Sequence, residues 1–146
     1  MKILVSSCLL GIPCRYDGKP APTALTKEQI EKIGENHTLI PVCPEMLGGL
    51  GAPRDPAERR GEKVLSKSGK DITEEFESGA KATLRIAKEL GCDIALLKEK
   101  SPSCGCGSIY DGSFQGKLKE GNGVTSELLL RNGIKVIGES KVNEIE

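Results

Sequence analysis

Four short apolar runs, at residues 2–6, 38–42, 94–97 and 134–137, restrict this chain's fold more than anything else in it. Each is too brief for a buried helix and is bounded by turn-forming residues, so each reads as a strand. Between them lie stretches with helical spacing. Leu25, Ile30 and Ile33 recur up to about Gly34, and Thr26-Lys27-Glu28-Gln29 supplies a capping box at the start. Phe76, Ala80, Leu84, Ala87 and Leu90 mark one face of a long helix, which Thr73 is expected to cap and Gly91 to end. A shorter helix over 124–131 precedes the fourth strand. Strands alternating with helices predict a mostly parallel four-stranded sheet with right-handed crossovers. The expected architecture is a single doubly wound, Rossmann-like α/β domain over 1–146, with strand order 2-1-3-4.

Other segments are less regular. Residues 52–72 are polar and predict a hairpin turning at Ser68-Gly69-Lys70, between 63–65 and 71–72. Residues 108–121 are Gly-rich and expected to be irregular, and the tail from Glu139 reads as a surface segment or a frayed end.

Parallel strands bring their carboxyl ends to one edge, where ligands of such sheets bind. Cys8, Cys43 and Cys104 each lie at or soon after such an end. Cys92 precedes the third strand, on the opposite edge, and reads as core filling. His37, the only histidine, is also on that edge, which disfavours a histidine-based triad or zinc site. The six cysteines are too irregularly spaced for a zinc ribbon or a ferredoxin-type run. The amino terminus carries one positive charge and too short an apolar run for a signal peptide, and no stretch approaches membrane-spanning length. We therefore expect a cytoplasmic protein, where thiols are metal ligands, reactive groups or core filling rather than disulfides. Positive and negative side chains balance at 21 each, and Tyr16, Phe76, Tyr110 and Phe114 are the only aromatics. Neither a phosphate-neutralising surface nor a base-stacking platform is suggested.

The stretch from Lys98 to Gly107 holds two serines, two cysteines and two glycines directly after a strand, and reads as an active-site loop. Three thiolates on one edge can hold a cubane 4Fe–4S cluster by three irons and leave the fourth open as a Lewis acid. A soft iron prefers sulfur to oxygen, so a thiocarbonyl or thiolate substrate is the natural match. Glu45 and Ser101, fixed beside that site by Pro44 and Pro102, could position and deprotonate a water. On the residues alone, Ser101-Pro102 could equally be a helix cap with a first-turn proline, and Glu45 a solvated charge beside a helix start. Gly48, Gly49 and Gly51 lack a dinucleotide fingerprint and are expected to turn backbone N–H groups toward cluster sulfides. Arg15 and Arg54 could orient a polar ring or face the cluster's charge.

Five ordered motifs then meet a known family: 5–11 (Val-Ser-Ser-Cys-Leu-Leu-Gly), 14–18 (Cys-Arg-Tyr-Asp-Gly), 43–45 (Cys-Pro-Glu), 49–54 with Gly49-Leu50 and Pro53-Arg54, and 101–105 (Ser-Pro-Ser-Cys-Gly). Over about residues 2–138 the chain resembles the thiouracil desulfidases, long filed as a domain of unknown function. The resemblance implies a three-cysteine 4Fe–4S cluster on Cys8, Cys43 and Cys104. It also implies Glu45 and Ser101 as catalytic residues flanking an attacking water; beside them Arg15 and Ser103 are expected to contact the substrate. Uracil and hydrosulfide would leave without net redox change. Cys14 reads as an extra thiol beside the cluster and Cys106 as a substitute for Cys104. Relatives fused to a larger domain act on thiolated tRNA; with no such domain here, a small thiolated pyrimidine is the favoured substrate. Two other functions compete: a zinc-binding interaction module using four cysteines, and a metal-free cysteine-based sulfur-transfer enzyme.

Overall fold

The structure, a computed structural model, describes residues 1–145. The chain forms β1 (Lys2–Ser6), α1 (Lys27–Gly34), β2 (Thr38–Val42), the one-turn α2 (Pro44–Leu47) and a hairpin of β3 (Ala57–Arg60) and β4 (Lys63–Ser66). There follow α3 (Thr73–Leu90), β5 (Ile94–Leu97), a second hairpin of β6 (Ser108–Tyr110) and β7 (Leu118–Glu120), α4 (Val124–Arg131) and β8 (Lys135–Gly138). The sheet runs β2-β1-β5-β8 with every pair parallel, which is the expected order 2-1-3-4 of its own strands. Alternation along β1 explains why both faces are covered. Ile3 and Val5 pack with Leu25 and Ile33 on one side, while Leu4 packs with Ala87 and Leu129 on the other. A strand buried on both faces must be apolar throughout, hence the continuous runs in the sequence.

Local chemistry sets the helix ends. Thr26 accepts the Gln29 N–H at 3.1 Å and Gln29 returns the favour to the Thr26 N–H at 2.9 Å, completing the capping box. Thr73 is not the cap of α3 but its first residue. The Asp71 carboxylate takes both the Thr73 N–H and its hydroxyl, at 3.0 and 2.6 Å, while the Thr73 oxygen accepts from Val64. Gly123, which precedes α4, has no side chain to cap with. Carbonyls of the loop after β5 serve instead: Gly123, Val124 and Thr125 donate to Gly105, Pro102 and Ser103 at 2.7–2.9 Å.

Three expectations are revised. The turn at Ser68-Gly69-Lys70 exists and leads to a single bridge between Leu65 and Asp71, but the main partner of β4 is β3, which turns at Gly61. The charged run Glu58-Arg59-Arg60 hid that strand: Glu58 faces inward, and Arg59 crosses to Glu127 of α4 at 2.5 Å. Residues 108–121 are not irregular throughout, since β6 and β7 pair antiparallel. Nor does the tail fray. Residues 139–144 form a 3-10 segment with Val142 buried, held where Glu99 accepts from Ser140 and Glu139 accepts from Glu99 and Lys98. Among the described residues no helix is long and apolar enough to cross a membrane.

Candidate active site

Because β1 lies between β2 and β5, the three strand ends converge. Cys8 sits in the 3-10 turn Ser7–Leu10 leaving β1, Cys43 directly precedes α2, and Cys104 is in the loop after β5. These three and Cys14 line one cavity of about 520 Å³, roofed by the two hairpins. All six thiols are free. Cys92 is buried against α3 and β5, as expected of filler. Cys106 departs from expectation: it does not line the cavity, and its thiol is directed at the Val136 carbonyl at 3.9 Å, so it is not placed to substitute for Cys104.

The thiols are crowded. Cys14 hydrogen-bonds with both Cys43 and Cys8; the Cys43 contact holds its pKa down, but the Cys8 contact, burial and nearby charge outweigh it and push it up to about 11. The hydrogen bond to Cys14, then burial and the Glu45 charge, push the Cys43 thiol well above its usual range, against a bond from the Met46 N–H. Burial, then Glu45 and Cys43, raise Cys104, with hydrogen bonds from Ser6 and Ser103 opposing. Soft donors whose anions repel one another and Glu45 are the set that a soft, multiply charged metal core stabilises. Among the described residues no three His, Cys, Asp or Glu side chains close on one ion.

Glu45 is no solvated charge. Arg54 Nη2 meets its Oε2 at 3.0 Å, with the two side chains 12% and 17% exposed. The same guanidinium binds the Cys14 and Gly51 carbonyls at 3.0 and 2.9 Å, and the Arg54 N–H reaches the Tyr16 carbonyl. One arginine therefore joins the loop bearing Cys14 to the carboxylate. The expectation that Arg54 orients a polar ring or faces a cluster's charge gives way here to a pairing with Glu45. Arg15 also lines the cavity, its guanidinium 5.2 Å from the Tyr16 ring centre and 3.4 Å from Asp17.

Ser101 lines the cavity and caps the turn as well: its oxygen accepts the N–H groups of Ser103 and Cys104, both at 3.1 Å. Ser103 does not reach the cavity. Its hydroxyl, 2.8 Å from that of Thr125 and also bonded to the Cys104 thiol, belongs to a residue only 1% exposed, so Ser103 supports the thiol rather than lining the wall as expected. Ser6, unnoticed in the sequence because it ends a strand, accepts the Lys98 N–H at 2.9 Å and has its proton left for Cys104. The amides of Gly48 and Gly49 also depart from expectation, because they bond to Pro44 and Met46 carbonyls and the amide that meets a thiol is that of Met46. Gly48 serves packing: a Cβ there would collide with the Glu75 carbonyl of α3, and one at Gly79 with the Pro44 carbonyl.

Fold and mouth together define a class: α/β proteins that gather soft thiol donors, beside a paired carboxylate, at the carboxyl edge of a parallel sheet. Residues 3–141 match the model of the 2-thiouracil desulfurase family, and the chain belongs to that family. It is 45% identical over 153 residues to the uncharacterized protein YbbK of Bacillus subtilis (strain 168), covering 98% of this chain and 99% of that one. Among solved structures it is similar to the 4Fe-4S-dependent thiouracil desulfidase TudS, with a TM-score of 0.92 and 46% identity over 99% of this chain and 94% of the other.

Proposed function

We propose that this chain is an iron–sulfur-dependent thiouracil desulfidase, converting a thiolated pyrimidine and water to uracil and hydrosulfide without net redox change. What supports this most is the convergence of thiols from three separate strands beside Glu45 and Ser101, in a family member 46% identical to TudS. Cys8, Cys43 and Cys104 would hold the 4Fe–4S cluster, with Cys14 an additional thiol beside it. Bound there, the cluster supplies an open, Lewis-acidic iron to which a substrate's sulfur can bind.

The protein's own groups do the rest. Glu45, oriented by Arg54, takes the proton of the water that attacks the ring carbon. The new bond is carbon to water oxygen, the bond that breaks is carbon to sulfur, and hydrosulfide leaves. Ser101, whose oxygen already accepts two N–H groups, has its proton left to donate to the water or to a ring oxygen. Arg15 offers a further donor on the cavity wall. A free base or nucleoside is favoured over thiolated tRNA because the mouth lies beneath two hairpins, and free thiols of this kind belong in a reducing compartment such as the cytoplasm.

The test is to supply 4-thiouracil to the cluster-loaded enzyme in heavy-oxygen water, with no reductant. Labelled uracil and hydrosulfide in equal amounts are expected. Dependence on an electron donor, or unlabelled uracil, would overturn the hydrolytic reading.

A further inference from the structure

Every aromatic side chain of this aromatic-poor chain, Tyr16, Phe76, Tyr110 and Phe114, lines the one cavity. Composition argued against a base-stacking platform, yet these scattered residues come together around the same space. The four are not equivalent. Phe76 is taken up by the core with Val64 and Ile72, and Tyr16 stands exposed at the rim. Phe114 is different in kind. It lies at the tip of the second hairpin, half-buried between the exposed Ser113, Gln115 and Gly116. Its φ is 59°, a left-handed conformation that bulky residues rarely adopt; among the described non-glycine residues only Lys100 shares it.

Two residues of β3 hold that tip. Glu58, 8% exposed, uses Oε1 to accept the N–H groups of Gly112 and Phe114 at 2.9 and 3.1 Å. Arg60 Nε donates to the Gly112 carbonyl at 2.7 Å, and a Cβ at Gly112 would collide with the Arg60 side chain. Burying a carboxylate to hold two amides of a hairpin tip is costly, and strained backbone of this sort persists where the surrounding structure enforces it.

We propose that Phe114 is a specificity-determining residue whose ring stacks on the face of the thiolated heterocycle, and that Glu58 and Arg60 are positioning residues that hold it there. This deepens the desulfidase reading and rests on it. Its consequence is selectivity: a flat aromatic thiocarbonyl ring is preferred to an open-chain one such as thiourea, which offers no ring face to stack on.

The cluster-loaded enzyme and its Phe114→Ala, Phe114→Tyr and Glu58→Ala variants would be assayed on 4-thiouracil and thiourea, with uracil binding followed by calorimetry and the cluster by visible absorption. Phe114→Ala is expected to raise KM for 4-thiouracil and weaken uracil binding about tenfold or more, the usual scale for losing one stacking partner. Its kcat, its cluster absorption and its thiourea activity stay as in the parent, and Phe114→Tyr restores binding. Glu58→Ala repeats the Phe114→Ala phenotype, and the double variant is no worse than either. If Glu58→Ala does not fold, the two Phe114 variants decide. Unchanged KM and uracil affinity in Phe114→Ala would overturn the proposal. A parent that binds uracil through Phe114 but releases no sulfide would sink the desulfidase reading alone.

Discussion

Glu45 and Ser101 look alike as catalytic candidates, but their surroundings predict different consequences of removing them. Glu45→Gln keeps an acceptor for Arg54 and loses only the base. It should slow sulfide release by about 10²–10⁴, the usual worth of a general base, with iron content and KM unchanged. A rate near the parent's would remove Glu45 from proton transfer. Ser101→Ala strands the Ser103 and Cys104 amides, at about 1–3 kcal/mol for each buried group left unpaired, and so loosens the turn that presents Cys104. It should lose iron as well as activity; full iron with no activity would make the hydroxyl's role purely chemical. At this scale the sequence was informative where a residue follows a strand end, as with Cys8, Cys43 and Cys104. It was misleading where the outcome depends on which way a side chain leaves a turn. Ser103 and Cys106 flank Cys104 closely in sequence, yet one turns to Thr125 and the other to Val136.

Among elements, the close crossing of α2 and α3 fixes Glu45. Gly79→Ala would ordinarily gain up to about 1 kcal/mol in helix propensity. Here the added methyl meets the Pro44 carbonyl, which is backbone and cannot rotate away, and overpacking of that kind costs about 1–3 kcal/mol. The collision should win: a lower Tm by calorimetry and slower sulfide release, because Pro44 carries Glu45 with it. A raised Tm would show that α2 yields freely. The start of α3 makes a pH prediction. The Thr73 hydroxyl, and next its N–H, hold the Asp71 carboxyl below its usual range. Its stabilisation is therefore fully present above the unfolded carboxylate pKa and lost as pH falls through the lower folded value. Asp71→Ala should lower Tm at neutral pH by a margin that closes in acid; a margin constant with pH would contradict the capping role. Helices and sheet strands were legible because periodicity and caps are local. The β3–β4 hairpin was not, since Glu58 is buried only through partners some fifty residues away, Gly112 and Phe114.

For the molecule as a whole, the sheet supplies the thiols and the hairpins supply the roof. Alternation and crossover handedness made a parallel sheet legible, and with it the edge where the cysteines meet; its order 2-1-3-4 was a guess that no local signal dictated and that the sheet happens to match. The roof and its aromatic lining were not legible, because nothing in four scattered aromatics announces that they share a cavity. Everything in the proposed chemistry depends on the strand-end thiols holding a cluster on which a thiolated pyrimidine loses its sulfur. Its most direct test is anaerobic reconstitution with iron and sulfide, followed by 4-thiouracil without reductant, measuring iron and released hydrosulfide in the parent and in single Cys→Ser variants. The parent should carry about four irons, as a thiolate-held cubane does, and release hydrosulfide. Cys8→Ser, Cys43→Ser and Cys104→Ser should lose both properties, while Cys92→Ser and Cys106→Ser keep them. A colourless protein that binds zinc tightly, or one that desulfurates free of metal until a single thiol is alkylated, would contradict it.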